Sequence, residues 1–143
     1  MSSGVAVADE VKHAFADMKM NKNTQYMILG MNDANSQIVI KKRADRGAPY
    51  SEFLSDMKEV EECGDCRYCI YDMEIVAKSG QINDKLVLIC WNPDCSKIKN
   101  KMIYASSTDT LKHELGTGIA AHIQASDMDD LIEADVKKKI MSK

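Results

Sequence analysis

Proline is scarce, long apolar runs are missing, and the chain as a whole carries no excess of basic charge. Two prolines among 143 residues, with no repeat and no low-complexity stretch, leave nothing that reads as a linker, so residues 1–143 read as one continuous domain. The longest unbroken apolar run, Leu86 to Trp91, is far shorter than the ~20 residues a membrane helix requires. Met1 to Val7 has neither the charged start nor the apolar stretch of a secretory leader, and the expected location is therefore cytoplasmic. Lysine and arginine total 19 against 22 aspartate and glutamate, a net charge of −3. That balance argues against a general nucleic-acid binder, which needs cations to neutralise phosphates. The five cysteines are an odd number, unlike the paired set of an extracellular disulfide framework, so free thiols in a reducing compartment are the simpler reading. What is present is a hydrophobic fraction of 45% beside 29% charged residues, ordinary for a packed globular core.

Periodicity supplies the elements. Val7, Val11, Ala14, Phe15 and Met18 recur at helical spacing and predict an amphipathic helix from about Val5 to Met20. Tyr26 to Met31 and Gln37 to Lys42 are β-rich runs around Asn32-Asp33-Ala34-Asn35-Ser36, whose turn chemistry suits a hairpin. Beyond Pro49, the set Phe53, Met57 and Val60 marks a second helix. Arg67 to Val76 alternates as a half-buried strand does, whereas Leu86 to Trp91 is apolar throughout and predicts a central strand covered on both faces. Pro93 and Asp94 offer helix-start chemistry, with Ile98, Met102 and Ala105 on one face of a long helix reaching Leu115 and capped by Gly116. Ala121 to Ala125 predicts a short edge strand, and Met128, Leu131, Ile132, Val136 and Ile140 a last helix begun by Ser126 or Asp127. The fold class is α/β in the broad sense (α+β), a single-domain mixed sheet flanked by helices on both faces.

Few constellations carry chemistry. Cys63, Cys66 and Cys69 make C-x-x-C-x-x-C, with Cys90 and Cys95 following, which raises a zinc or thiol-redox protein as a distant alternative. Three is an odd spacing, so a strand puts Cys66 and Cys69 on opposite faces, and Cys90-x4-Cys95 is not a metal knuckle. His113-Glu114 begins like a zinc-protease motif, but Thr117 stands where the second histidine would be. Gly116-Thr117-Gly118 follows a helix and lacks the setting of a dinucleotide loop. No catalytic centre, cofactor or metal is expected. Lys97, Lys101 and Lys112 fall within a narrow arc of the long helix, with Lys99 beside its start. In an acidic chain this is a positive ridge suited to an acidic protein or an anionic lipid head group. Lys137-Lys138-Lys139 forms a second cluster at the end of the last helix.

Trp91-Asn92-Pro93-Asp94, followed by Lys99-Asn100-Lys101-Met102-Ile103-Tyr104-Ala105-Ser106-Ser107, resembles the long-helix signature of the actin-depolymerising factor/cofilin family. Met1 to Val7, Asp65-Cys66-Arg67-Tyr68 with Tyr71-Asp72, and Ile123-Gln124-Ala125-Ser126 resemble further stretches of the same family, so the likeness spans essentially the whole chain.

The resemblance implies the ADF-homology fold with a flexible start at residues 1–5. It also implies a protein, not an enzyme, that binds actin monomers and filaments, prefers ADP-actin, and promotes severing and depolymerisation. Carried onto this chain, the monomer-binding residues would be Ser3, Gly4, Val5, Lys99, Lys101 and Met102. The filament-binding set would be Lys85 with Lys78, Lys138 and Lys139. Ser3 matches the family's regulatory phosphorylation site, and Lys97, Lys99, Lys101 and Lys112 resemble a phosphoinositide site. Asn83 stands where relatives often carry a basic residue, which bears on severing strength. The basic insertion that resembles a nuclear-localisation signal in some members is absent, leaving nuclear entry to Lys41-Lys42-Arg43. The expected state is a monomer. A rival within the fold group, resembling glia maturation factor or coactosin, would bind the branching complex or filament sides without depolymerising.

Overall fold

The computed structural model describes residues 4–141. Its centre is a six-stranded sheet in the order β1-β3-β2-β4-β5-β6, with β1 Ala6–Val7, β2 Thr24–Met31, β3 Gln37–Asp45, β4 Arg67–Val76, β5 Ile82–Trp91 and β6 Ala121–Ala125. The four inner strands are antiparallel, and each outermost strand, β1 beside β3 and β6 beside β5, runs parallel to its neighbour. Four helices cover the sheet: α1 Asp9–Asn21, α2 Tyr50–Glu62, α3 Ile98–Leu115 and α4 Glu133–Met141.

Alternation along the strands builds two cores. Met27, Leu29 and Met31 of β2 join Tyr68, Ile70 and Leu88 on the face packed by α1 and α3. Tyr26 and Ile28, one residue out of step, join Cys69, Tyr71, Val87, Ile89 and Trp91 on the face packed by α2 and α4. This is the central, doubly covered sheet expected from the unbroken apolar run. On the second face the rings of Tyr26, Tyr50, Phe53 and Tyr71 lie with centroids 5.2–5.6 Å apart, within the spacing at which aromatic pairs attract. The buried Tyr26 hydroxyl donates to Glu52 at 3.0 Å and to Asp56 of α2. Lys42 closes this cluster at 2.7 Å from Asp56.

The differences from the sequence expectations lie at element ends. The first helix starts at Asp9, not Val5, because Ala6 N–H donates to Ser36 O and Ala8 N–H to Ile38 O, both at 3.0 Å, so the chain adds a short strand before it turns. Val5 itself is 5% exposed and belongs to the α1/α3 core. Pro93 and Asp94 do not begin α3. Ser96 N–H donates to Pro93 O at 3.0 Å in a turn, and Lys97 stays extended at ψ 139 before the helix begins. Ile98, Met102 and Ala105 are exposed, whereas the buried stripe of α3 is Tyr104, Ser107, Leu111 and Leu115, an alternative phase of the same helical period. The last helix is split. Asp127 caps a short 3-10 turn at Met128–Leu131 by accepting from Asp129 N–H at 2.8 Å, and α4 follows from Glu133. The hairpin turn at 32–36 forms as expected, with Asn32 Oδ1 accepting from Ser36 N–H at 2.9 Å and Asn35 left-handed at φ 54.

Among the described residues one charged side chain is buried. Asp72, 2% exposed, accepts from Arg46, which also reaches Asp84 at 3.1 Å, and Lys22 meets Asp84 at 3.2 Å. Burial raises the Asp72 carboxyl above its ordinary value, with Arg46 opposing. The folded chain therefore holds that proton to higher pH than the unfolded chain does. The stability this group contributes is greatest at and below the ordinary carboxylate range and declines as pH rises through the window above it. Asp72→Asn removes the titration. In urea unfolding between about pH 4 and 7, the stability of the parent minus that of the variant is expected to fall as pH rises; a flat or rising difference would show that the Arg46 contact outweighs burial.

Candidate functional site

The long helix is held by its tyrosine. Tyr104 Oη accepts the buried N–H of Met31 at 2.9 Å, and Tyr68 donates its hydroxyl to Tyr104 O, so strands β2 and β4 both grip α3 at one residue. Ser107 and Thr108 satisfy their hydroxyls within the helix, on Ile103 O at 2.7 Å and Tyr104 O at 2.9 Å, which lets a small polar residue sit on the buried stripe. At the start, Asn100 Nδ2 donates to Asp65 Oδ1 at 3.3 Å, and Arg67 pairs with Asp65 at 2.7 Å. At the other end Gly116, at φ +70, donates its N–H to Lys112 O, the cap the sequence predicts.

With the helix so anchored, its outer side is fixed in place. Ile98 is 75% exposed and Met102 66%, one turn apart, with exposed Lys97 and Lys99 beside them. Large apolar side chains held in solvent among cations are what a partner would cover. Lys101 is half-buried, 3.7 Å from the exposed carboxylate of Asp94. Gly4, exposed at φ +81, leads into Val5 and Val7, which share the α1/α3 core with Tyr104 and Leu111, so β1 and α3 pack together. Gly4 thus precedes a strand that packs on α3, the helix whose start carries Lys99, Lys101 and Met102. Val5 does not offer a surface, since its side chain is buried. Ser3 lies outside the described residues.

Lys112 sits apart from the helix start. It is eleven residues beyond Lys101, about 16 Å along the axis, and lines a groove of about 260 Å³ with Arg67, Thr108, Asp109 and Gln124. Lys101 lines the next depression, which also reaches Gln124. Thus Lys101 and Lys112 flank β6, whereas Lys97 and Lys99 belong to the exposed end.

The second basic set spans two elements. Lys78 lies in the β4–β5 turn, where Gly80 N–H donates to Ala77 O at 2.8 Å. Lys85, exposed, pairs in register with Met73, and alternation from Val87 assigns it to the α2/α4 side of the sheet. Lys138 and Lys139, exposed in the last turn of α4, border a shallow depression of about 350 Å³ with Asp129, Asp130 and Asp135. Hydrogen bonds from the Ser126 backbone, aided by Lys139, hold the Asp130 carboxyl below its ordinary range. The sequence reading missed Val76 and Ile82, cross-strand partners 55% and 59% exposed at the tip of the β4–β5 hairpin. They keep the parity of the α1/α3 core, but Asp72, Glu74 and Asp84 stand between them and it, so the strip is polar before it reaches this pair.

Cys66 and Cys69 do not converge. Cys66 is buried on the α1/α3 side and Cys69 on the α2/α4 side of the sheet, so the C-x-x-C-x-x-C run cannot ligate one metal. Among the described residues no group of three or more His, Cys, Asp or Glu is arranged to hold a metal ion, and no helix is long and apolar enough to cross a membrane.

A mixed sheet between two helix pairs, presenting an apolar and basic helix end, defines a single-domain protein-binding module of the ADF-homology fold. A family model described as cofilin/tropomyosin-type actin-binding protein matches residues 4–141. The chain is 38% identical to the cofilin of Schizosaccharomyces pombe over 141 residues, covering 99% of this chain and 98% of that protein. It is 34% identical to the actophorin of Entamoeba histolytica over 138 residues, 96% of each. The crystal structure of Streptomyces griseoflavus cofilin superposes with a TM-score of 0.85 at 34% identity, covering 97% of this chain and 98% of that one. The chain belongs to the cofilin/ADF family of actin-binding proteins.

The Tyr104 grip is testable without a partner. Tyr104→Phe leaves the buried Met31 N–H without its acceptor, and chemical denaturation should show a loss of about 1–3 kcal/mol; an unchanged midpoint and slope would mean that Met31 finds another acceptor.

Proposed function

We propose that this chain binds both monomeric and filamentous actin, prefers ADP-actin, and promotes severing and depolymerisation. The observation that carries the reading is the exposed pair Ile98 and Met102 among Lys97, Lys99 and Lys101, on a helix end that the core holds rigid. Met102 gives an adaptable apolar contact for a groove, and the lysines steer the encounter toward acidic actin. Ser3 and Gly4 complete the monomer-binding set that the family resemblance implies. Lys85, with Lys78, Lys138 and Lys139, forms a second surface that engages a neighbouring subunit in the filament. Two separate surfaces on one monomeric domain explain how a binder reaches both forms of actin. The cytoplasmic actin cytoskeleton is its place of action.

Two forms of control follow from charge. Phosphorylation of Ser3 adds about −1.5 to −2 charges at neutral pH, which repel acidic actin. Lys97, just before α3, and Lys99, Lys101 and Lys112 of α3 bind phosphoinositide head groups in competition with actin.

Co-sedimentation with preformed filaments tests the reading, with this protein measured in the pellet and actin in the supernatant. Pelleting together with a rise in soluble actin is expected. Pelleting alone would favour a side binder, and no association would overturn the proposal. Lys99→Ala combined with Lys101→Ala should lower actin affinity by about tenfold or more. Its unfolding free energy should stay within about 0.5 kcal/mol of the parent, because the charges removed are at or near the surface. Full affinity in that variant would misplace the surface. Ser3→Glu is expected to weaken binding with the thermal melt unmoved; equal binding by Ser3→Glu and the parent would sink the phosphorylation assignment.

A further inference from the structure

The fold sorts the five thiols into two kinds. Cys66, Cys69 and Cys90 are buried, and burial pushes each of them up, away from the reactive thiolate. Cys63 and Cys95 are exposed and come from opposite ends of the β4–β5 hairpin, yet the sheet brings them to one junction. Cys63 is the C-cap of α2. Cys95 lies in the turn leading toward α3, and its Sγ–H donates to Glu61 O at 3.5 Å. The same carbonyl accepts Gly64 N–H at 2.9 Å, so a single acceptor in the last turn of α2 holds the backbone just after Cys63 and the thiol of Cys95. The main chains are close as well: a Cβ placed on Gly64 would lie 3.6 Å from Cys95 O. Asn100 Nδ2 to Asp65 Oδ1 at 3.3 Å and Cys66 Sγ to Asn92 Oδ1 at 3.5 Å bind the same two segments together.

We propose that Cys63 and Cys95 are a redox pair that closes into a reversible intramolecular disulfide, a latch between the end of α2 and the turn before α3. The oxidant is a peroxide. One thiolate attacks it, becoming a sulfenic acid and releasing hydroxide; the second thiolate displaces hydroxide from that sulfenic sulfur and forms the S–S bond. In net terms two thiols and one hydrogen peroxide give one disulfide and two waters. A dithiol such as glutaredoxin or a glutathione pool reverses the step, because both sulfurs face solvent. The bridge requires the two Cβ atoms to approach to about 3.8 Å, for which Cys95 releases its bond to Glu61. It closes a loop containing β4 and β5, and cross-linking a loop of that size removes conformational freedom from the unfolded chain.

The test uses the full chain, treated when native with hydrogen peroxide, alkylated, and read by intact mass and peptide mapping. A monomer lighter by two hydrogens, with Cys63 and Cys95 peptides joined, is expected. Dithiothreitol should reverse it, and Cys63→Ser and Cys95→Ser should each abolish it. Treatment in 6 M guanidinium, by contrast, should scatter the pairing among other cysteines, which separates native geometry from mere exposure. The oxidised monomer should melt roughly 5–15 °C above the reduced one. Disulfide-linked dimers, sulfinic acid without a cross-link, or pairing through Cys66 would overturn the assignment, and an unchanged melt in a cross-linked monomer would overturn the latch.

Discussion

Alternation of side chains across β2, β4 and β5 is the constraint on which the rest depends. Because consecutive residues point to opposite faces, Tyr26 and Met27, Tyr68 and Cys69, or Leu88 and Ile89 each feed both cores at once. A one-residue slip of register would exchange the two cores wholesale. The helices are therefore assigned to their faces by the strands: α1 and α3 to one, α2 and α4 to the other.

The proposed actin-binding surface is held in place by this sheet. The start of α3 is fixed by Asn100 on Asp65 and its middle by Tyr104 on Met31 and Tyr68, so the exposed Ile98 and Met102 are presented without the ordering cost that a loop would incur on binding. On the proposed reading, a fixed apolar contact flanked by lysines combines affinity with fast encounter. The β4–β5 hairpin extends the same logic at the opposite end, where Val76 and Ile82 project beyond the covering helices.

Much of the fold was legible in the chain itself. The unbroken run Leu86 to Trp91 announced a strand covered on both faces, and Arg67 to Val76 has the bounds its alternation predicts. Element starts were not, because several competing partners decide them. Val5 and Val7 fit a helix pattern, but the exposed edge of β3 offers hydrogen bonds that draw Ala6 into a strand. Ile98, Met102 and Ala105 fit one apolar face of α3 as well as Tyr104, Leu111 and Leu115 fit another. Only contact with β1, β2 and β4 selects which is buried.

The sequence by itself determined the class of elements, their order and the lysine-rich character of the long helix, because periodicity and charge are local properties. Tertiary structure alone decided which side of that helix meets water, that Asp72 is buried beside Arg46, and that Cys63 and Cys95, far apart in the chain, share one junction. These depend on distances between segments that only the pairing of β4 with β5 and the packing of helices on the sheet bring together.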